Sequence, residues 1–447
     1  MEMEVQQVQS NSKNGFLGET SCRRQVCSPV EKVRGRCSAV AGRVAGIGRD
    51  DPRRVVHSLK VGLALTLVSV LYYVTPLFNG FGRSSTMWAV LTVVIVMEFT
   101  VGGTLCKGLN RALGTLVAAS LAVGAHQVAD LCGDKVEPIL LAVFVFFVAS
   151  AATFSRFIPE IKARYDYGVI IFILTFSLVA VSSYRVRDLL QFAHQRFTTI
   201  TVGVAICLLT TIFVFPVWAG EDLHRLAAGN LDRLAEFLEG LESECFGENA
   251  ANNDNLENKS FLQAYKSVLN SKATEDSLCN LAKWEPGHGK FSFRHPWRQY
   301  QNLGALCRQC ASSMEALASY VITVKQSQYP ESNPELCSKI RTSCGEMSLH
   351  SAKALRELSE AIRTMTTPHT TNNDLSAAIK SAKALRIELS EDAALLRVMH
   401  VVVIASLLAE LVTQIKKIAE SVETLARLAH FRKPISTQND VVINITS

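Results

Sequence analysis

Five ionisable side chains lie within, or at the ends of, long apolar runs in the first half of the chain. They are Lys60, Glu98, Lys107, Arg111 and Arg196. Charged groups inside a membrane are costly and usually mark the path of an ion or substrate. Anion pathways are typically lined by Arg and Lys, whereas cation pathways are lined by Asp and Glu. Because cations outnumber the single deep acid, the sequence predicts a pathway for anions.

These residues also have structural interpretations. Lys60 and Lys107 could extend their ammonium groups to the membrane interface. Glu98 could pair with Lys107 or Arg111 and hold two helices together, which is the role we favour for it. For Arg196, at the outer end of the last apolar run, we favour a role in the pore.

The apolar runs predict the elements that position these charges. About 20 apolar residues are needed for a helix to cross a bilayer. Six runs qualify, and we predict spans at 59–76, 86–103, 109–126, 137–154, 167–183 and 197–217. The third run is rich in Gly and Ala, which favours the interior of a bundle. Lys and Arg are commoner on one side of the spans, so we predict that both termini are cytosolic.

The predicted fold is all-α: a six-span transmembrane helical bundle followed by a cytosolic helical bundle domain. A composition of 48% hydrophobic and 19% charged residues averages two unlike halves. We predict a pore domain at 55–219 and a cytosolic helical domain at 220–432. A partly disordered cytosolic segment, 1–54, precedes them, and a disordered tail, 433–447, follows.

Helical spacing of apolar residues continues through the second half. It predicts helices near 297–327, 335–367, 374–391 and 394–431. The apolar run Val398–Val412 contains Glu410 and is short, so we predict a core helix rather than a seventh span. The second half contains no catalytic constellation, and we expect neither an enzyme nor a cofactor.

The cysteines do not suggest a disulfide framework. Nearly all of the 12 cysteines fall within predicted helices or cytosolic segments, so we expect reduced thiols. Cys307 and Cys310 form a C-x-x-C pair without a second pair or a histidine at zinc spacing, and we do not expect them to bind metal.

Several motifs occur in a fixed order along the chain. They are Asp51-Pro-Arg-Arg-Val-Val-His57, Met87-Trp-Ala-Val-Leu-Thr-Val-Val, Lys107-Gly-Leu-Asn-Arg111, Arg164-Tyr-Asp-Tyr-Gly168, Phe215-Pro-Val-Trp-Ala-Gly220, Trp284-Glu-Pro286 and Phe293-Arg-His-Pro-Trp297. This series resembles the plant aluminium-activated malate transporter family, and the resemblance extends from about Asp51 to about Phe431.

The resemblance implies a dimeric anion channel with six spans per subunit and a cytosolic helical domain. Arg196 matches the family's pore arginine, and Lys107 and Arg111 match its basic pair. Phe213, Phe215 and Trp218 lie in a segment that resembles the one linked to control by 4-aminobutyrate. An aromatic belt at the membrane interface explains that segment equally well.

The function that we expect is passive malate efflux through an anion channel of a plant membrane. The plasma membrane is favoured, and the vacuolar membrane is the alternative. The expected partners are malate and other small anions, membrane lipid and a second copy of the chain, with no nucleic acid. Two other functions remain open at this point: a coupled organic-acid exporter, and a membrane-anchored scaffold.

Aluminium would require oxygen ligands, because Al3+ is a small, hard cation. In the last outer loop the only acid, Asp188, lies beside basic residues, and the family's external carboxylates are replaced by Arg187 and Gln191. We therefore predict malate conduction without aluminium and at most a modest enhancement by it. The remaining candidate acids are in the middle loop and in the second half: Asp130, Asp134, Glu137, Glu275, Asp276 and Glu285. The last three could act only if Al3+ reached the cytosolic side.

Overall fold

The computed structural model describes most of the chain. The described residues are 29–74, 86–133, 135–183, 189–246, 260–326, 334–368, 371–391 and 399–433. Within them every regular element is a helix, and the only pairings of extended backbone are two isolated bridges. The all-α fold predicted from the sequence is therefore confirmed. Most of the predicted N-terminal segment and nearly all of the predicted C-terminal tail lie outside the described residues.

The first half of the chain forms seven of the described helices. They are α1 (Pro29–Asp50), α2 (Pro52–Tyr73), α3 (Thr86–Val96), α4 (Val101–Asp130), α5 (Glu137–Ser155), α6 (Pro159–Ser183) and α7 (Leu189–Phe213). Residues up to Val56 form one compact unit, and those from His57 onward form another.

Four of these helices, α4 to α7, are long and apolar enough to cross a membrane, judged over the described residues. Helix α3 is a shorter apolar helix of 11 residues, and α2 has 22 residues but is not among the four. The chain is therefore a multi-pass membrane protein, whereas the full count of six spans stays a prediction.

The connection between the predicted second and third spans differs from the prediction. The predicted spans place Lys107 in the connection between them and Arg111 at the start of the third span, but both residues lie inside the continuous helix α4. The helical break occurs earlier, between Val96 and Val101. Thr100 explains the position of this break, because its Oγ1 accepts a hydrogen bond from the Gly103 backbone N–H at 3.1 Å and caps the new helix.

The last predicted span also differs. Helix α7 covers Leu189–Phe213 rather than 197–217, so Arg196 lies inside the helix and not at its outer end. The helix ends before Pro216, which has no N–H to continue the hydrogen-bond ladder. Phe215 then adopts a positive φ of 45°, a conformation that is costly for a bulky residue.

The second half is a bundle of helices with one large apolar core. The helices are α8 (Ala219–Leu241), α9 (Phe261–Leu269), α10 (Lys272–Ala282), α11 (Trp297–Gln326), α12 (Pro334–Thr364), α13 (Thr371–Glu391) and α14 (Met399–Leu428). The helices predicted for this half are confirmed with small shifts at their ends. Ile404, Leu408 and Val412 of α14 are buried in this core, which confirms the core-helix interpretation of that apolar run.

Cys307 and Cys310 are also buried in this core and are not bridged to another cysteine. Burial in apolar surroundings raises the pKa of the Cys310 thiol to about 12. The thiol is therefore neutral and packs as an apolar group. No group of three or more potential metal ligands occurs within the described residues.

Candidate anion pathway

Arg111 is a buried cation at the meeting point of three helices. Only 2% of the residue is exposed. Its Nε donates to Thr92 Oγ1 of α3 at 3.0 Å, and its Nη1 donates to Tyr167 Oη of α6 at 3.1 Å. Both partners are neutral, so within the described residues no carboxylate compensates the charge of Arg111. The guanidinium group therefore retains a positive field inside the apolar bundle.

Arg196 is the second buried guanidinium, and it is also 2% exposed. Its Cζ lies 3.8 Å from the centroid of the Trp88 ring, which is a close cation–π contact. Its Nε and Nη1 are buried and have no hydrogen-bond partner in the described part of the chain. Buried donors normally have a partner, so these two N–H groups are available to an anion or to water.

Helix α3 brings the two arginines to one side of the bundle. Arg196 contacts Trp88, and Arg111 donates a hydrogen bond to Thr92. Trp88 and Thr92 are four residues apart in α3. Side chains at this spacing lie one above the other, roughly 5–6 Å apart. The two guanidinium groups are therefore neighbours in space although they are far apart in the sequence. The sequence predicted both residues, but it did not show that α3 positions them together.

Thr115 adds a neutral hydroxyl group on the same helix as Arg111. It is one helical turn further along α4, it is fully buried, and its Oγ1 has no hydrogen-bond partner among the described residues. A hydroxyl group can donate a hydrogen bond to a carboxylate, so the Thr115 hydroxyl is a further buried donor that is available to an anion. The sequence analysis missed it, because a single Thr in an apolar helix gives no signal.

Glu98 and Lys107 form an ion pair with each other. Both side chains are partly exposed, so the pair lies at one end of α4 and not in its interior. Of the two partners considered for Glu98, Lys107 and Arg111, the structure pairs it with Lys107. Glu98 also lies in the break before α4, where its carbonyl accepts from Thr104 Oγ1 at 3.3 Å.

Lys60 occupies a position different from the other cations. It is 1% exposed, and its Nζ donates to the carbonyl oxygen of Phe215 at 2.7 Å. Phe215 follows the end of α7, where the carbonyl groups of a helix lack partners and attract cations. In this structure Lys60 therefore ties α2 to the end of α7.

The three aromatic residues of the segment after α7 differ in their surroundings. Phe213 is 77% exposed and Phe215 is 75% exposed, as expected of residues that face lipid or its interface. Trp218 instead stacks on His288, with ring centroids 3.7 Å apart. Trp218 and His288 line a pocket of about 600 Å³ that also includes Glu221, Arg225 and Lys290.

The three candidate acids of the second half accept hydrogen bonds from protein groups. Glu275 is 3% exposed, forms an ion pair with Arg308 and accepts from Asn230 Nδ2 at 3.0 Å. Asp276 accepts from Gln301 Nε2 at 2.8 Å. The carboxylate of Glu285 accepts hydrogen bonds from backbone N–H groups, as detailed below.

The acids proposed for the outer side differ in their surroundings. The Glu137 carboxylate lies 3.3 Å from His126 Nδ1, so it also has a protein neighbour. Asp130 is exposed. Asp134, Arg187 and Asp188 lie outside the described residues.

Two buried histidines flank Tyr300 in the second half. His224 Nδ1 lies 2.8 Å from Tyr300 Oη, and His295 Nε2 lies 3.3 Å from the same oxygen. Burial lowers the pKa of His224 to about 4 and that of His295 to about 4, because the charged imidazolium loses its water. Both rings are therefore neutral at neutral pH and serve the packing of the bundle.

The apolar helices of the first half thus hold two buried guanidinium groups, and no carboxylate of the described residues pairs with either of them. This arrangement defines a multi-pass membrane protein with a cationic interior, as expected of a protein that moves anions. The sequence model of the family described as Aluminium activated malate transporter matches residues 45–396. The chain belongs to this family, whose name is that of a transporter and not of an enzyme.

Individual relatives agree with this assignment. The chain is 65% identical over 430 residues to aluminum-activated malate transporter 1 of Triticum aestivum, covering 95% of this chain and 93% of that protein. It is 48% identical over 393 residues to aluminum-activated malate transporter 2 of Arabidopsis thaliana, covering 86% of this chain and 77% of that protein.

Proposed function

We propose that this chain is a malate-permeable anion channel that mediates passive malate efflux across a plant membrane. The observation that carries the proposal is the pair of buried guanidinium groups, Arg111 and Arg196, which have no carboxylate partner in the part of the chain that the structure describes. A buried cation without an acid is unfavourable by itself, and an anion that enters the site relieves that cost.

The chemistry of malate fits such a site. Malate is a dianion at neutral pH, and a bare charge in hydrocarbon is prohibitively unstable, so cationic groups must replace its water. Arg196 offers two free donors, and Arg111 supplies a fixed positive charge beside them. Lys107, near the start of α4, forms an ion pair with Glu98, so its charge is compensated and the two buried arginines supply the field that binds the anion.

The membrane arrangement that we propose has six spans, both termini in the cytosol and the plasma membrane as its location. Helices α2 and α3 supply the first two spans and α4 to α7 supply the others. We further propose a homodimer, as the resemblance implies. Mass photometry of the detergent-solubilised protein tests the dimer, and a monomer in a mild detergent would contradict it.

Reconstitution into liposomes tests the function. Currents of the purified full chain should reverse at the malate equilibrium potential and should not follow an imposed proton gradient. A current that follows the proton gradient would instead indicate a coupled organic-acid exporter. Absence of any current from correctly inserted protein would favour a scaffold and refute the proposal.

We also propose that 4-aminobutyrate regulates the channel through the pocket beside Trp218. Arg225 and Lys290 can bind its carboxylate, and Glu221 can bind its ammonium group. In liposomes, 4-aminobutyrate on the cytosolic side should inhibit the malate current, and Lys290→Gln should weaken this inhibition. Unchanged inhibition in the variant would exclude the pocket as its site.

A further inference from the structure

The turn formed by Trp284, Glu285 and Pro286 contacts both halves of the chain. Glu285 is 7% exposed, and its Oε1 accepts from the backbone N–H groups of Ala219 at 2.6 Å and Gly102 at 3.3 Å. Its Oε2 accepts from the N–H of Gly220 at 3.0 Å. A single carboxylate therefore binds the first turns of α4, in the membrane half, and α8, in the second half.

The physical basis of this contact is the chemistry of helix N-termini. The first N–H groups of a helix have no partner within the helix, and the helix dipole places partial positive charge there. Glu285 satisfies such groups on two helices at once. Burial raises the pKa of Glu285, and the hydrogen bonds from Gly220, Ala219 and Gly102 oppose that rise by favouring the ionised form.

Close approach of the backbones makes this contact possible. A Cβ atom at Gly102 would collide with the carbonyl group of Leu281, and one at Gly220 would collide with the ring of Trp297. The Val101 N–H also donates to the Val217 carbonyl oxygen at 2.9 Å. The start of α4 is thus bound both to the turn and to the segment that links α7 to α8.

Trp284 extends the contact to a second helix of the membrane half. The Arg164 guanidinium lies 5.0 Å from the centroid of the Trp284 ring, and the Tyr165 ring lies 6.3 Å from it, edge to face. Both residues belong to α6, which also carries Tyr167, the partner of Arg111. The turn therefore contacts α4, which carries Arg111, and α6, which carries one of its two hydrogen-bond partners.

We propose that Glu285 is a positioning residue that couples the second half of the chain to the opening of the anion pathway. The proposal rests on the proposed function, because it assumes that the pathway conducts. Glu285 fixes the start of α4 relative to α8, and α4 carries Arg111. Its carboxylate sets how often the pathway is open, whereas the anion itself is bound by Arg111 and Arg196.

Single-channel recording of the full chain in liposomes tests the coupling. Glu285→Gln keeps one acceptor oxygen and replaces the other by an NH2 group, which cannot accept from a backbone N–H. It therefore removes at least one of the three charge-assisted hydrogen bonds, weakens the others and should lower the open probability roughly tenfold or more. Unitary conductance and anion selectivity should stay unchanged, because the arginines keep their contacts with Trp88, Thr92 and Tyr167. Glu285→Asp keeps the charge but shortens the reach, so an intermediate open probability is expected.

Glu239→Gln is the control. Glu239 is also a carboxylate of α8, but it pairs with Arg356 at the surface, away from the start of the helix. It should leave open probability unchanged. An open probability of Glu285→Gln equal to that of the unsubstituted protein would overturn the proposal, and so would a loss confined to unitary conductance. If Glu285→Gln does not fold, Glu285→Asp gives the same comparison.

A second measurement separates this proposal from the proposed function. Hydrogen exchange of the Gly102 and Gly220 amides should be faster in Glu285→Gln than in the unsubstituted protein, whether or not malate current is seen. Unchanged exchange at both amides would overturn the coupling role. Absence of malate current from the unsubstituted protein, with faster exchange in the variant, would refute the proposed function and leave the contact itself established.

Discussion

Removing the charge of Arg196 is the most direct test of the anion pathway. The guanidinium is 2% exposed, and its Nε and Nη1 have no protein partner among the described residues. A hydrogen bond to a charged group contributes about 1.5–3 kcal/mol, and a neutral one about 0.5–1.5 kcal/mol. For two such bonds, Arg196→Gln should weaken malate binding by about 2–3 kcal/mol, or roughly 30- to 140-fold.

The assay is voltage-clamp recording of malate current with surface biotinylation of the same cells. Arg196→Gln should shift the malate concentration for half-maximal current by that factor, and Arg196→Glu should abolish the current. Both variants should reach the cell surface in normal amounts. Lys162→Gln is a matched control, because Lys162 is exposed at the start of α6 and should leave the current unchanged.

Trp88→Leu separates the charge of Arg196 from its packing. It removes a cation–π contact of about 1–2 kcal/mol but keeps the charge, so the malate current should fall much less than in Arg196→Gln. If Arg196 served only to pack against Trp88, the two variants would lose surface protein and current in parallel. Normal malate current in Arg196→Glu would refute the assignment of Arg196 to the pathway.

Three other predictions follow from the structure. Glu275→Gln leaves Arg308 without its buried partner and should destabilise the protein by about 3 kcal/mol, measured by thermal unfolding in detergent. Acid should destabilise the second half: His224 and His295 have lowered pKa values, so stability that is present above pH ~6.5 is lost as the pH falls towards 4. Between pH 7 and pH 5 this loss amounts to about 2 kcal/mol for each histidine, which a pH series of melting temperatures measures. Whole-cell recording at acid pH should show malate current without Al3+ and at most modest enhancement by micromolar external Al3+.

Each of these predictions has a control. Asp276→Asn keeps an oxygen that can accept from Gln301 and removes only the charge, so it should cost only about 1 kcal/mol. An equal loss in Asp276→Asn and Glu275→Gln would contradict the special role of Glu275. Melting temperatures that do not change between pH 7 and pH 5 would show that the two histidines are not held neutral. A malate current wholly dependent on Al3+, and lost on neutralising Asp188 alone, would show that the outer loop is a metal sensor.

The motifs behind the family resemblance meet in three dimensions. Tyr167 contacts Arg111, Glu285 contacts Gly220, and Trp284 contacts Arg164. Each contact joins residues from different motifs. A sequence shows the order of such motifs, but their contacts require the helices to pack, so the roles of Trp88 and Tyr167 were not predictable from their own positions.

The sequence by itself determined the all-α class, the apolar helices of the first half and most helix bounds of the second half. These features depend on local hydrophobic periodicity and on residues such as Pro216 and Thr100, which act within a few positions along the chain. It also identified the buried cations, since a charge in an apolar run is visible without a fold.

Only the tertiary structure decided which partners these charges have. Lys107 pairs with Glu98, Lys60 binds a backbone carbonyl group, and Arg111 and Arg196 have no acid beside them within the described residues. It also decided that Glu285 is a buried contact between two helix N-termini and not a free surface acid. The reason is physical: the energy of a buried charge depends on the groups within a few ångströms of it, and packing brings those groups from distant parts of the sequence.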